Sequence, residues 1–165
     1  MRILFVCNGN ILSQPNSRSL IREKIGQSLI EVRSAGMYAF NGEPLSPKAM
    51  TVLRENSIYF SHNSQRLNQE MLEWADLIFT MTKRQKYMIM LKFIEVKNKI
   101  FTLKEFVGQQ DINDISNPFG KDLKNYRQFF GEIDQILNIL CEKLAFFSSF
   151  KKNLIGGVCS LARIK

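Results

Sequence analysis

The stretch Ile3-Leu4-Phe5-Val6-Cys7-Asn8-Gly9-Asn10-Ile11-Leu12-Ser13-Gln14-Pro15 decides the fold. Four unbroken apolar residues read as a short central strand covered on both faces. A polar loop follows. Pro15 then opens a helical stretch to about Gly26, because the missing N–H of proline costs nothing in the first helical turn. Gly9 and Asn10 are the residue types best able to take left-handed backbone angles, so the loop can turn successive N–H groups inward. The dipole of the following helix adds positive potential at the same point. The expected product is an anion nest of phosphate size, with Cys7 at its floor as a stabilised thiolate. On the loop alone a second reading stays open: Cys7 as a small buried hydrophobe ending a strand.

Outward from this segment, strands alternate with helices. Ile30 to Ser34 reads as a second strand with Ala35-Gly36 as its exit. Ser46-Pro47 is an N-cap followed by proline at the first helical position, starting a helix to about Asn56. Asn68 to Trp74 reads as a short helix, Leu77 to Met81 as a third buried strand, Lys83 to Phe93 as a helix, and Ile100 to Thr102 as a fourth strand. After a loop rich in Asp, Asn and Gly, a long amphipathic helix runs from about Leu123 to Phe147. Its apolar positions Phe129, Ile133, Ile136, Leu137 and Leu140 recur at helical spacing. This order predicts an α/β fold of three layers, α/β/α, around a central four-stranded parallel sheet. Ligands of such sheets sit beyond the carboxyl ends of the strands, which again selects the loop after strand one. Residues 1–147 form the expected domain, and 148–165 a basic C-terminal tail of no clear period.

Composition excludes several function classes. At 165 residues, with 45% hydrophobic and 23% charged residues, the chain suits one globular domain. No apolar run reaches the roughly 18 residues of a membrane span. The opening residues enter a strand at once, leaving no room for a secretory signal, so a cytoplasmic location is expected. Three cysteines (Cys7, Cys141, Cys159) and one histidine, His62, lack metal-ligand spacing, so neither a disulfide framework, a metal site nor a cofactor is expected. The net charge is +8. Lys151, Lys152, Arg163 and Lys165 place half of it in the tail with no acid beside them, which reads as a solvated basic tail rather than a nucleic-acid surface.

The stretch Leu4 to Asn10 with Pro15 resembles the phosphate loop of low-molecular-weight protein tyrosine phosphatases, a family related to thioredoxin-linked arsenate reductases. The resemblance continues through Ser34-Ala35-Gly36, Gly42-Glu43-Pro44, Ser61-His62, Trp74-Ala75-Asp76-Leu77-Ile78 and Pro118-Phe119-Gly120. It implies that Cys7 holds the nucleophile position. It further implies that residues Asn8, Gly9, Asn10, Ile11, Leu12 and Ser13 wrap the phosphate, and that Ser34 and His62 brace Asn10. His62 is then a structural histidine, not a catalytic base. Phe40 and Phe119 fall where the family places aromatics beside the substrate ring, although simple packing explains single aromatics as well.

Three positions depart from the family pattern. Phosphate monoester cleavage takes a thiolate to attack phosphorus, a guanidinium to grip two equatorial oxygens, and a carboxylic acid to protonate the leaving oxygen. The family's arginine corresponds to Ser13, its next serine to Gln14, and its general acid, directly before a proline, to Asn117. Arg18 and Asp114 are the nearby substitutes. The first is turned elsewhere on its helix, and the second reaches the leaving group only through rearrangement of its loop. Arsenate reduction needs further mid-chain cysteines, and none occurs between Cys7 and Cys141.

The leading expectation is therefore a pseudophosphatase, inactive or severely impaired, that takes phosphate or a phosphorylated, phosphotyrosine-like ligand. The alternatives are a weakly active aryl phosphate hydrolase working through a Cys7 phosphoenzyme, and an anion-binding scaffold that uses the basic tail. The sequence leaves the oligomeric state open.

Overall fold

The computed structural model describes residues 1–9, 30–59, 63–109 and 114–160, with side-chain surroundings described as far as residue 146. Two strands open the described chain, β1 (Arg2–Cys7) and β2 (Glu31–Gly36). They are followed by α1 (Pro47–Glu55), α2 (Gln69–Trp74), β3 (Leu77–Thr80) and α3 (Lys83–Lys92). A 3-10 turn (Ile94–Val96), β4 (Ile100–Thr102), α4 (Leu103–Val107) and α5 (Leu123–Ser160) complete it. The expected helix from Pro15 to Gly26 lies outside the described residues.

All four strands are parallel in the order β2-β1-β3-β4. Alternation along β1 explains the three layers. Ile3 and Phe5 join one core with Val52 of α1, Val107 of α4 and Leu137 of α5. Leu4 and Val6 point the other way, into a second core with Leu72 of α2 and Ile89 of α3. A strand buried on both faces needs an unbroken apolar run, and β1 supplies one. The five apolar positions expected on the long helix are all buried.

Local chemistry fixes the helix ends. Ser46 Oγ accepts from Ala49 N with Pro47 in the first turn of α1, as the sequence predicts. Capping boxes start α3 (Thr82 with Gln85) and α4 (Thr102 with Glu105). Gly108 stops α4 at φ +90°, a left-handed C-cap. Three observations differ from expectation. Strand β2 runs on to Gly36, because its ladder to β1 extends as far as Cys7. Helix α4 follows β4 directly, its N-terminus secured by the Thr102–Glu105 box. Helix α5 continues to Ser160, into the tail to which the sequence assigns no structure.

Strand order places the topological switch between β1 and β3, since the chain leaves β1 toward β2 and returns beyond it to β3. The carboxyl ends of these two strands carry Cys7-Asn8-Gly9 and Met81-Thr82.

Candidate functional site

Cys7 is the last residue of β1, paired with Gly36 of β2. Hydrogen bonding continues past the strand ends: Met37 N donates to Cys7 O at 2.9 Å and Tyr38 N to Asn8 O at 3.0 Å. The segment after β2 is held in turn by residues 63–67. Gly36 N donates to Gln65 O, Leu67 N to Gly36 O, Gly42 N to Ser64 O and Ser64 N to Glu43 O, each at 2.8–2.9 Å. Buried Ser64 also donates its Oγ to Gly9 O at 3.4 Å, so one residue ties both the mouth segment and the start of the phosphate loop. Gly42, at φ +82°, makes the turn at the tip of this segment, a backbone conformation suited to glycine.

Behind Cys7 lies a small cavity of about 40 Å³. Its walls include Asn8, Gln85, Ile115, Asn117, Pro118 and Phe129, and among the described residues none of its lining side chains carries a charge. Buried Gln85 organises one side. Its Oε1 accepts from Met81 N and Thr82 N at 2.9 and 3.1 Å, while its Nε2 donates to Asn8 Oδ1 at 2.8 Å. Asn117 closes the other side and accepts at Oδ1 from Phe119 N at 3.1 Å, a local turn that fixes the amide.

Outside the cavity a cleft of about 380 Å³ opens over Asn8 and Gly9, walled by Tyr38, Phe40, Glu43 and Pro44 on one side and by Asn117 and Phe119 on the other. Phe40 and Phe119 are exposed by 74% and 65%, which sets aside a packing role for these rings. The structure thus brings together Cys7, Asn8, Gly9, Asn117, Phe40 and Phe119 at one end of the sheet. Ser34 is buried on β2 opposite Phe5. Asn10, Ile11, Leu12, Ser13 and His62 lie outside the described residues, as does Arg18.

Asp114 does not face the cavity behind Cys7. Its Oδ1 accepts from Lys83 N at 2.9 Å, at the first turn of α3, and its side chain borders a separate groove with Arg84 and Met88. Sequence reasoning missed Gln85 and Ser64, and it quoted Glu43 within Gly42-Glu43-Pro44 without giving it a role. For Gln85 a signal existed in the Thr82-x-x-Gln85 capping pattern. Ser64 and Glu43 are placed by long-range pairing, which carries no local mark.

Among the described residues no helix is long and apolar enough to cross a membrane, and no cluster of His, Cys, Asp and Glu could hold a metal ion. A parallel sheet with a cysteine at the switch point, beside an aromatic-walled cleft, defines an α/β domain whose candidate site lies at the carboxyl ends of its strands. The family model for low molecular weight phosphotyrosine protein phosphatase matches residues 2–151, and the chain belongs to that family. A protein-arginine-phosphatase of Geobacillus stearothermophilus is 41% identical over 143 residues, covering 87% of this chain and 95% of the relative. The low molecular weight protein-tyrosine-phosphatase PtpB of Staphylococcus haemolyticus is 32% identical over 133 residues, covering 81% and 92%. Among solved structures, the YwlE arginine phosphatase from Geobacillus stearothermophilus superposes with a TM-score of 0.78 at 40% identity, covering 87% of this chain and 92% of that one.

Proposed function

We propose that this chain is a pseudophosphatase, a family member that receives a phosphorylated side chain at the Cys7 loop but does not cleave it efficiently. The observation that carries this reading is the neutral cavity around Cys7. Asn117 stands in its wall where the family pattern has an acid, and no carboxylate lines it among the described residues. Cleavage forms an S–P bond at Cys7 as the bond from phosphorus to the leaving group breaks, and the leaving atom then needs a proton. An amide supplies none at neutral pH. Asp114, engaged with the α3 backbone, is poorly placed to replace it.

The magnitudes favour inactivity over mild impairment. Loss of a general acid costs on the order of 10²–10⁴ in rate. Loss of one preorganised donor costs on the order of 10²–10³, and the Ser13 position removes a charged, bidentate one. The relatives' names include phosphatases for both tyrosine and arginine, so the ligand class considered is a phosphorylated tyrosine or arginine side chain. Without protonation a guanidine would have to leave as an anion far more basic than a phenolate, so it is the worse leaving group. Arginine dephosphorylation therefore suffers most from the missing acid.

The test is hydrolysis of p-nitrophenyl phosphate by the chain, by Cys7→Ser, and by a form carrying Ser13→Arg with Asn117→Asp, with calorimetric titration of inorganic phosphate into each. The expected result is a silent parent that binds phosphate and an active doubly substituted form. A parent that turns over at rates normal for an enzyme, with Cys7→Ser dead, overturns the proposal.

A further inference from the structure

The mouth of the cleft carries a charge opposite to that of the chain. The protein bears +8, yet among the described residues lining the 380 Å³ cleft the one charged side chain is Glu43. No hydrogen bond or ion pair to its carboxylate occurs among the described residues. Around it the cleft presents three exposed rings: Tyr38 and Phe119, each 65% exposed, and Phe40, 74% exposed. The backbone that carries Glu43 is fixed on both sides, by Glu43 N donating to Phe40 O and Ser64 N donating to Glu43 O. A carboxylate with no partner among the described residues, set among aromatic faces, attracts a cation by charge and by ring quadrupole together. The same charge opposes an anion bound in the cleft floored by Asn8 and Gly9.

From this arrangement we infer that Glu43 is a specificity residue. The cleft selects a phosphorylated side chain within a polypeptide whose adjacent residue is arginine or lysine, with the phosphoryl group at the Cys7 loop and the neighbouring cation between Glu43 and the rings. This inference rests on the anion-binding reading of the Cys7 loop given above. Phosphate alone meets only the repulsion of Glu43. A cation-flanked phosphopeptide converts the same carboxylate into an anchor, and the aromatic rings add contact with the stem of the basic side chain. Ser46, Ser64 and Asn117 complete the lining with neutral groups and offer no competing charge.

The experiment measures binding of short fluorescent peptides in which phosphotyrosine or phosphoarginine is followed by arginine, alanine or glutamate. Each peptide is paired with its unphosphorylated form, with inorganic phosphate as competitor. The arginine-flanked phosphopeptide is expected to bind about five- to ten-fold more tightly than the alanine-flanked one, the scale of an exposed charge pair with cation–π support. The preference should shrink at high salt. In Glu43→Gln it should vanish, while affinity for inorganic phosphate rises. These opposite signs separate a lost selector from a damaged fold, since misfolding weakens both ligands. Equal affinity for arginine- and alanine-flanked peptides, or a preference that survives Glu43→Gln, overturns the inference while leaving the anion site standing. If no phosphopeptide binds and phosphate does not compete, the anion site falls, and the unphosphorylated arginine peptide decides for Glu43. Binding of that peptide that Glu43→Gln abolishes retains the cation site, and absence of such binding removes it.

Discussion

Gln85 Nε2 donates to Asn8 Oδ1 at 2.8 Å, joining the loop after β1 to the first turn of α3. The bond fixes more than a distance. Gln85 Oε1 already accepts from Met81 N and Thr82 N, so the amide has one orientation and only its Nε2 can face Asn8. Asn8 must then offer its Oδ1 inward, which leaves its Nδ2 as the group available to the spaces that Asn8 borders. A neutral donor is thereby held on the residue that follows Cys7.

Gln85→Glu tests this relationship without removing the cap. The carboxylate still accepts from Met81 N and Thr82 N but no longer donates, so Asn8 turns its Nδ2 toward it. The expected outcome is weaker binding of inorganic phosphate, by at least about three- to ten-fold, from the lost donor and the added negative charge together. Gln85→Leu should lower both phosphate affinity and stability, because the buried N–H groups of Met81 and Thr82 lose their acceptor at a cost of about 1–3 kcal/mol. Calorimetric titration beside denaturant unfolding distinguishes the two.

Asp114 belongs to the helix rather than to the chemistry. In the form carrying Ser13→Arg and Asn117→Asp, a further Asp114→Ala should leave p-nitrophenyl phosphate turnover within about two-fold, while stability falls by about 0.5–2 kcal/mol through loss of an acceptor at the α3 N-terminus. A large drop in turnover would show that Asp114 reaches the leaving group.

Acid should loosen the contact between α3 and α4. Burial raises the Glu105 carboxyl, but the hydrogen bonds from the Lys86 ammonium and from Thr102 N, with the charges of Lys86 and Lys83, together hold it below its ordinary value of 4.5. A depressed folded value means the contribution is complete above 4.5 and disappears as pH falls through the lower value of the folded state. Solvent screening of this partly exposed pair keeps the effect under about 1 kcal/mol. Urea midpoints measured between pH 3 and 6 should show the parent losing more stability on acidification than Glu105→Gln.

Phe79 is the ring on which one core closes, 5.6 Å from Phe5 and 4.8 Å from Phe106 between centroids. Fully buried, it should cost about 3–5 kcal/mol when replaced by alanine. Phe119→Ala, at the exposed rim, should cost under about 0.5 kcal/mol yet weaken phosphopeptide binding. Chemical denaturation and peptide titration of the two variants check the contrast.

The architecture was legible because burial on both faces writes itself into sequence: Ile3 to Val6 and Leu77 to Phe79 are unbroken apolar runs, and α5 shows helical spacing. Helix α4 was missed although Thr102-x-x-Glu105 is a capping pattern, because five residues are too few to display a period. Of the residues that line the small cavity, Cys7 and Gly9 were named in the sequence from local residue types and Asn117 from the resemblance. The site was opaque where segments distant in the chain meet. Gln85 reaches Asn8 across 77 positions, and Ser64 reaches Gly9 across 55. Neither contact has a signature within its own neighbourhood.

The two cores on either side of β1 draw on Ile3 through Val6, and Cys7 at its carboxyl end is only partly covered, packed against the first of them. Asn117 belongs to neither core. Exchanging the Asn117 side chain should therefore leave both cores intact, so the chemistry at this wall of the cavity can be varied independently of the fold.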